Sequence, residues 1–258
     1  MRSSVRLPPR ITRSVNTLTN DSSEFADDLE ASEFVAPGAR EFPKLVMLGS
    51  GGHARVLQQT LMDVGFELHG YVAPRDVDSR LAPNDEGVEV EWLGYDANLL
   101  EFDRDGYLLI NGIGSAGSLH VRKAVFEKFT EAGFNFLQIV ADTAIVSDSA
   151  NLLEGVQVLT GAIVGVDAFI DEDTIVNTGA IVEHDAVIGR SCHISVGAKL
   201  AGEVAVGQGS HIGIGATIIQ GIQIGENCII GAGAVVIRDV PDNHMAVGVP
   251  AQNRPIES

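Results

Sequence analysis

The 258-residue chain has few aromatic residues, few basic residues and only two cysteines. Aromatic residues make up 5% of the sequence while glycines number 29, a balance that suits a core of layered small aliphatic side chains. Lysine and arginine together number 17 against 35 acids, and the formal net charge of −18 argues against a nucleic-acid partner, which needs clustered cations. No apolar run approaches the roughly 20 residues of a membrane-spanning helix.

The second half of the chain has a six-residue period. Every sixth residue from Val140 to Val236 is Val, Ile or Leu, which makes 17 consecutive positions. Chance would produce such a series with a probability on the order of 10⁻⁵ even if half of the region were aliphatic. The residue four places later is almost always small, as at Ala162, Ala180 and Cys192. This period fits neither a helix nor an ordinary strand and predicts a parallel β-helix, with the aliphatic residue in the core and the small one at a corner.

The two cysteines, Cys192 and Cys228, fall in the same small-residue position of the repeat, 36 residues apart. If three hexads make one coil, the two residues lie two coils apart, or about 9.6 Å at the usual strand spacing. That distance is too long for a disulfide, whose Cα atoms lie within about 7 Å. We therefore expect two reduced core cysteines, which is consistent with a cytoplasmic location.

Four regions follow one another along the chain. Residues 1–43 begin with four arginines and no acid, superficially like an organelle transit peptide, and then turn acidic; their composition predicts a disordered or flexible extension. Residues 44–139 alternate buried-strand patterns, glycine turns and amphipathic stretches, which predicts a small Rossmann-like α/β domain. Residues 140–241 form the β-helix, and 242–258 are a short C-terminal tail.

The first strand of the α/β domain leads into a glycine-rich turn, Gly49-Ser50-Gly51-Gly52-His53, which opens a helix. Glycines in this position let phosphate oxygens approach amide groups at a helix N-terminus. An NAD site also needs an acid after the second strand, where this chain has Ala73-Pro74. A nucleotide-diphosphate ligand is therefore favoured over NAD, and a purely structural turn is the alternative; the sequence leaves open whether His53 reaches a phosphate.

Four of the seven histidines lie in the repeat region or just after it: His184, His193, His211 and His244. The register stacks His193 and His211 on one outer face, about 4.8 Å apart. A zinc site of the kind found in hexapeptide carbonic anhydrases would need a His-x4-His pair, which the chain lacks, so no metal is expected.

His184 lies between two acids, Glu183 and Asp185, in a position that the register places on the outer surface. A carboxylate beside an imidazole holds one tautomer and raises its basicity, as a general base requires. The alternative is an ordinary solvated histidine among acids.

Four segments together resemble the PglD/NeuD-type sugar acetyltransferases. They are 49–54 (GSGGHA), 177–185 (NTGAIVEHD), 193–198 (HISVGA) and 248–251 (GVPA). The resemblance covers about residues 44–254. It implies a left-handed β-helix, a homotrimer, acetyl-CoA between neighbouring helices, and a nucleotide-sugar on the N-terminal domain.

The resemblance also implies roles for individual residues. His184 would be the general base and Asp185 the carboxylate that tunes it. His193, Gly202, Ile214 and Ala232 would contact acetyl-CoA, and the turns at 49–53 and at Gly112–Gly114 would hold the nucleotide-sugar.

The resulting expectation is a cytoplasmic acetyl-CoA-dependent N-acetyltransferase that acts on a nucleotide-linked amino sugar in bacterial surface-glycan biosynthesis. Two alternatives remain: an O-acetyltransferase of sialic-type acids or other sugars, and a non-catalytic trimeric scaffold.

Overall fold

The computed structural model describes residues 43–75, 79, 81–83, 87–114 and 119–256. The extension expected at 1–43 therefore lies outside the described residues except for Pro43.

The N-terminal domain is a parallel four-stranded sheet with helices on its faces. Its elements are β1 (Lys44–Leu48), α1 (Gly52–Asp63), β2 (Gly70–Val72), α2 (Asp96–Leu99), a 3₁₀ turn (Arg104–Gly106), β3 (Tyr107–Asn111), α3 (Leu119–Glu131) and β4 (Asn135–Phe136). The spatial order is β2-β1-β3-β4. Because side chains alternate along β1, Val46 and Leu48 face α3, while Leu45 and Met47 lie in a second apolar cluster with α1.

The β-helix is built from short strands, and all but the last two return to the same sheet every third strand. They are β5 (Ile139–Val140), β6 (Ile145–Val146), β7 (Asn151–Leu152), β8 (Gln157–Val158), β9 (Ile163–Val164), β10 (Phe169–Ile170), β11 (Ile175–Val176), β12 (Ile181–Val182), β13 (Val187–Ile188), β14 (His193–Ile194), β15 (Lys199–Leu200), β16 (Ala205–Val206), β17 (His211–Ile212), β18 (Thr217–Ile218), β19 (Gln223–Ile224), β20 (Ile229–Ile230), β21 (Val235–Val236), β22 (His244–Gly248) and β23 (Ala251–Pro255).

Three sheets enclose the core of the β-helix. Sheet 1 runs β5-β8-β11-β14-β17-β20-β22-β23, sheet 2 runs β6-β9-β12-β15-β18-β21, and sheet 3 runs β7-β10-β13-β16-β19. The second residue of each two-residue strand from β8 to β21 points into one continuous apolar core, as the six-residue period predicts. A Rossmann-like domain followed by a left-handed parallel β-helix is thus confirmed as the fold class.

From Gly155 to Gly233, the third residue of each four-residue corner has a left-handed backbone. Glycine fills this place at many corners, but Asp167, Asp173 and Asp185 take it with φ of 55°, 56° and 56°. Aspartate is among the few L-residues that tolerate this region, because its short side chain bonds locally. Acids are therefore held at defined corners, two of which are important below.

The segment treated above as a C-terminal tail contains two strands. β22 pairs parallel with β20 and so continues sheet 1, and β23 folds back antiparallel on β22. Both cysteines are buried and unbridged, as their spacing predicts. Across the described ranges, none of the helices has the length and apolar character needed to cross a membrane.

The N-terminal domain packs directly on the outer face of sheet 1. Leu57 and Leu61 of α1 share an apolar cluster with Ile139 and Ile175, whose side chains point outward from the β-helix. The outer face of sheet 1 is therefore part of the protein interior.

Candidate active site

His184 lies at an exposed corner between sheets 2 and 3, in the turn from β12 to β13. Its Nδ1 atom is 2.8 Å from Oδ2 of Asp185. The two residues are adjacent in the sequence, and Asp185 makes this contact from a left-handed backbone conformation. With Nδ1–H donating to the carboxylate, Nε2 carries a lone pair and can accept a proton.

The surroundings of His184 are acidic. The hydrogen bond to Asp185 raises the pKa of the imidazole, and the charges of Glu183 and Glu203 act in the same direction, while partial desolvation opposes them. The side chain of His184 is 48% exposed, so its basicity arises from neighbouring carboxylates and it remains open to a reactant. This arrangement suits a general base.

Gly202 occupies the same corner position as His184 on the next coil. A Cβ atom at Gly202 would overlap Cε1 and Nε2 of the imidazole. The structure thus brings three of the predicted site residues, His184, Asp185 and Gly202, into contact.

Ile214 and Ala232 stack in a different corner, between sheets 1 and 2. The Gly233 amide donates to the Ile214 carbonyl over 2.8 Å, and the Gly215 amide donates to Val196 in the same way. Val196, Ile214 and Ala232 are all exposed and form an apolar column one residue wide, with Ile214 61% exposed. Two of the residues expected to contact acetyl-CoA therefore lie on one continuous surface.

The two turns expected to hold the nucleotide-sugar lie side by side at the carboxyl ends of β1 and β3. A Cβ on Gly49 would lie 3.4 Å from Ile113, and one on Gly114 would lie 3.2 Å from Cβ of His53. Gly112 admits no side chain, because a Cβ there would approach Met47 and Ala54 to within 2.8 Å. Glycine is therefore needed for the two turns to meet.

The glycine-rich turn contains a polar group without a partner. Ser50 is 2% exposed, and its hydroxyl is the single buried side-chain atom in the described part of the chain that lacks a hydrogen-bond partner. The N-cap of α1 is Gly51, which supplies no side-chain cap, and a Cβ at this glycine would meet nothing within 4 Å. An anionic group could approach the first-turn amides here.

His53 is turned toward the β-helix. Its Nε2 is 2.8 Å from Oε1 of Gln157, whose amide donates in turn to the carbonyl of Asn111 over 2.9 Å. Burial and then the nearby charge of Arg122 lower the pKa of His53 to about 4. At neutral pH this histidine is uncharged, so it offers a phosphate no cation. Its hydrogen bond to Gln157 links the two domains.

A buried ion pair joins the two domains behind the same turn. Arg122 of α3 contacts Asp173, a corner residue of the β-helix, at 2.7 Å, and both side chains are fully buried. The guanidinium also donates to the carbonyls of Asn111 and Ile113, at 3.0 and 2.8 Å. Burial raises the pKa of Asp173 to about 6, against the opposing effect of the Arg122 charge.

His193 lies apart from His184. It is on sheet 1, 8% exposed, with Nε2 2.9 Å from the side-chain nitrogen of Asn177 and its ring centroid 5.1 Å from that of His211. Burial lowers its pKa to about 3, with further contributions from His211, His53 and Arg122. Within one chain His193 belongs to the domain interface, and its expected contact with acetyl-CoA remains a prediction.

Sequence reasoning missed the interdomain network of Arg122, Asn111, Gln157 and Asp173. The signal that could have found it is the run Asp171-Glu172-Asp173, which places an acid at a corner position that many other coils fill with glycine. Among the described residues, no group of three or more His, Cys, Asp or Glu side chains could hold a metal ion.

Comparisons with known proteins identify the family to which this fold belongs. The family described as "Bacterial transferase hexapeptide (six repeats)" matches residues 203–238, and no curated protein matches the chain. The structure of PerB from Caulobacter crescentus with CoA and GDP-perosamine is 36% identical with a TM-score of 0.72, covering 82% of this chain and 97% of PerB.

A second relative is the acetyltransferase domain of PglB from Neisseria gonorrhoeae in complex with acetyl coenzyme A. It is 30% identical with a TM-score of 0.71, and the match covers 82% of this chain and 98% of that domain. Identity at this level over nearly the whole of both relatives shows common family membership. The chain belongs to the PglD/NeuD-type family of sugar acetyltransferases.

Proposed function

We propose that this protein is an acetyl-CoA-dependent N-acetyltransferase that acts on a nucleotide-linked amino sugar in bacterial surface-glycan biosynthesis. The observation that carries the proposal is the exposed His184–Asp185 pair, with Nδ1 and Oδ2 2.8 Å apart, on a fold whose relative PerB holds CoA and GDP-perosamine. A cytoplasmic location remains a prediction.

The chemistry requires one base. The sugar amine attacks the thioester carbon of acetyl-CoA, and Nε2 of His184 accepts the proton that the nitrogen loses as the C–N bond forms. The resulting tetrahedral intermediate collapses by breaking the C–S bond, and the CoA thiolate leaves without needing a strong acid. General-base assistance of this kind contributes roughly 10²–10⁴-fold.

Acetyl-CoA would lie along the column of Val196, Ile214 and Ala232. This exposed apolar strip suits the pantetheine arm, which has little charge, and leaves the acidic corner at His184 for the thioester end. The predicted roles of Ile214 and Ala232 as cofactor contacts depend on this placement.

The nucleotide-sugar would bind across the turns at 49–53 and 112–114. The unpartnered Ser50 hydroxyl and the open N-terminus of α1 offer donors to a diphosphate. Because His53 is neutral and bonded to Gln157, we assign it a role in fixing the turn.

One chain does not bring the two halves of this site together. The nucleotide-sugar turns lie over sheet 1, whereas His184 lies at the corner between sheets 2 and 3, on the other side of the β-helix. A sugar held by one chain would therefore meet the His184 of a neighbouring copy. Packing of copies on this side is supported by three exposed apolar residues on sheets 2 and 3 and the corner between them: Ile145, Val166 and Val187. In a closed homotrimer, a neighbouring copy would complete each of the three sites in the same way.

Thiol release from acetyl-CoA tests the proposal. We expect release with GDP-, UDP- or CMP-linked amino sugars and none with the matching hydroxy sugars, and a loss of at least about 10² in kcat for His184→Ala. Gln220→Ala, in the same corner position two coils away, is the control and should keep its turnover. Release with hydroxy sugars alone would indicate an O-acetyltransferase, and no release with any substrate would favour the scaffold.

A further inference from the structure

Gly202 differs from the left-handed glycines of the β-helix corners. Its φ lies outside the left-handed region, so its backbone does not require glycine. The same corner position holds Val166 one coil before His184 and Gln220 one coil after Gly202, so the position accepts side chains.

The neighbours of Gly202 explain the missing side chain. At Gly189, Gly207 and Gly213, which also have ordinary φ, a Cβ would run into backbone atoms of the next coil. At Gly202 the three nearest atoms to a Cβ all belong to the imidazole of His184: Cε1, Nε2 and Cδ2. Gly202 is itself buried although its corner faces solvent, which is consistent with the ring covering it.

We propose that Gly202 is a positioning residue for His184, a role that rests on the proposed function of His184 as the base. The absent side chain leaves room for the imidazole to lie against the next coil. In that position Nδ1 reaches Asp185, and Nε2 keeps its orientation for the amine. Gly202 thus acts on the reaction through the ring, independently of any contact with acetyl-CoA.

The proposal predicts a specific defect in Gly202→Ala. The added methyl group displaces the ring from Asp185, which lowers the pKa of His184 and moves the proton acceptor away from the amine. Displacements of about 1 Å can cost on the order of 10²-fold in rate, so we expect kcat to fall by about 10- to 10²-fold. The acid limb of the pH–rate profile should move to lower pH, with little change in thermal stability or in KM for acetyl-CoA.

A double-mutant cycle tests whether Gly202 acts through His184. Adding Gly202→Ala to His184→Ala should cause no further loss of kcat, because the group that clashes with the methyl is gone. If Gly202→Ala fails to fold, the double variant should fold for the same reason. Failure of both to fold would show a backbone clash and overturn the proposal.

The remaining outcomes separate this proposal from the proposed function. A rise in KM for acetyl-CoA with an unchanged pH–rate profile would make Gly202 only a cofactor contact and overturn positioning. Wild-type kcat in Gly202→Ala beside an impaired His184→Ala would also overturn it while leaving the base assignment intact. Wild-type kcat in His184→Ala would reject the base itself.

Discussion

The exposed corner at His184 and the buried face beneath the N-terminal domain hold histidines of opposite proton affinity. At the corner a carboxylate raises the pKa of His184. Under the N-terminal domain, burial lowers the pKa of His53 to about 4 and that of His193 to about 3. Near pH 7 the buried histidines are therefore neutral, and the exposed one can exchange protons with a substrate.

The difference shows that the position of a histidine on the β-helix decides its chemistry. His184 and His193 are nine residues apart and both point outward from the coil. The α/β domain covers sheet 1 but leaves the corner between sheets 2 and 3 open. The first region holds the domains together and lies beneath the turns at 49–53 and 112–114. The second would perform the proposed proton transfer.

The largest expected effect comes from breaking the buried region. Arg122→Met leaves the fully buried Asp173 without its cation, which should cost about 3–5 kcal/mol of unfolding free energy. Denaturant-induced unfolding measures this change in the free energy of unfolding. Adding Asp173→Asn, which tolerates the left-handed backbone, should recover part of the loss; equal loss in single and double variants would contradict the ion-pair account.

The stability of the Arg122→Met variant has a defined pH dependence. Asp173 already has a pKa raised above its unfolded value, and removing Arg122 raises it further. The folded state then favours the protonated carboxyl, so stability is greatest at low pH and falls as pH rises through the shifted pKa. The stability gap between Arg122→Met and wild type should be wider at pH 8 than at pH 5.

A smaller effect concerns the buried histidines. Their folded pKa values lie below the unfolded value, so the unfolded chain binds more protons and stability falls as pH drops below about 6.5. At pH 5 each of these two histidines lowers the free energy of unfolding by about 1–2 kcal/mol relative to pH 7. His193→Gln should reduce the fall in Tm between pH 7 and pH 5, with His244→Gln as the control; an unchanged slope would place the titration elsewhere.

The turns at 49–53 and 112–114, proposed to bind the nucleotide-sugar, offer a way to separate the two regions kinetically. Gly51→Val puts a side chain into open space at the start of α1, where a diphosphate would approach. We expect KM for the nucleotide-sugar to rise about tenfold, while KM for acetyl-CoA stays constant. Equal weakening of both substrates would indicate that the turn is only structural.

The smallest expected effect concerns the exposed corner at His184. Asp185→Asn keeps a hydrogen-bonding group but removes the charge, which should lower kcat several-fold and move the acid limb of the pH–rate profile to lower pH, because the pKa of His184 falls. Asp167→Asn is the matched control, with the same corner place and φ one coil earlier. A shift of equal size in both variants would make the effect a general loss of negative charge.

The fold of the β-helix and the His184–Asp185 pair could be predicted from the sequence because both depend on residues that are close together along the chain. A six-residue period determines which side chains point inward, and His184 and Asp185 are adjacent, so their contact needs only a tight corner. Gly202 was expected at the site from the family resemblance, and its contact with His184 agrees with the coil length, since the two residues are 18 apart.

The missed features depend on contacts between distant segments. Arg122 and Asp173 are 51 residues apart in two domains, and nothing in either segment identifies the other as its partner. The register correctly points His193 outward from the coil, but it cannot reveal that another domain covers that sheet. β22 and β23 were missed because the six-residue period ends before them.

The central claim is that the proton acceptor of the reaction is His184 in its bond with Asp185. The most direct measurement compares two pKa values. One is the pKa of His184 in the free protein, followed by NMR of ¹³C-labelled histidine with His184→Ala for assignment, and the other is the pKa of the acid limb of kcat/KM, which reports the free enzyme. The account predicts that the two values agree in wild type and fall together in Asp185→Asn. A kinetic pKa that stays in place while the NMR value falls would contradict it.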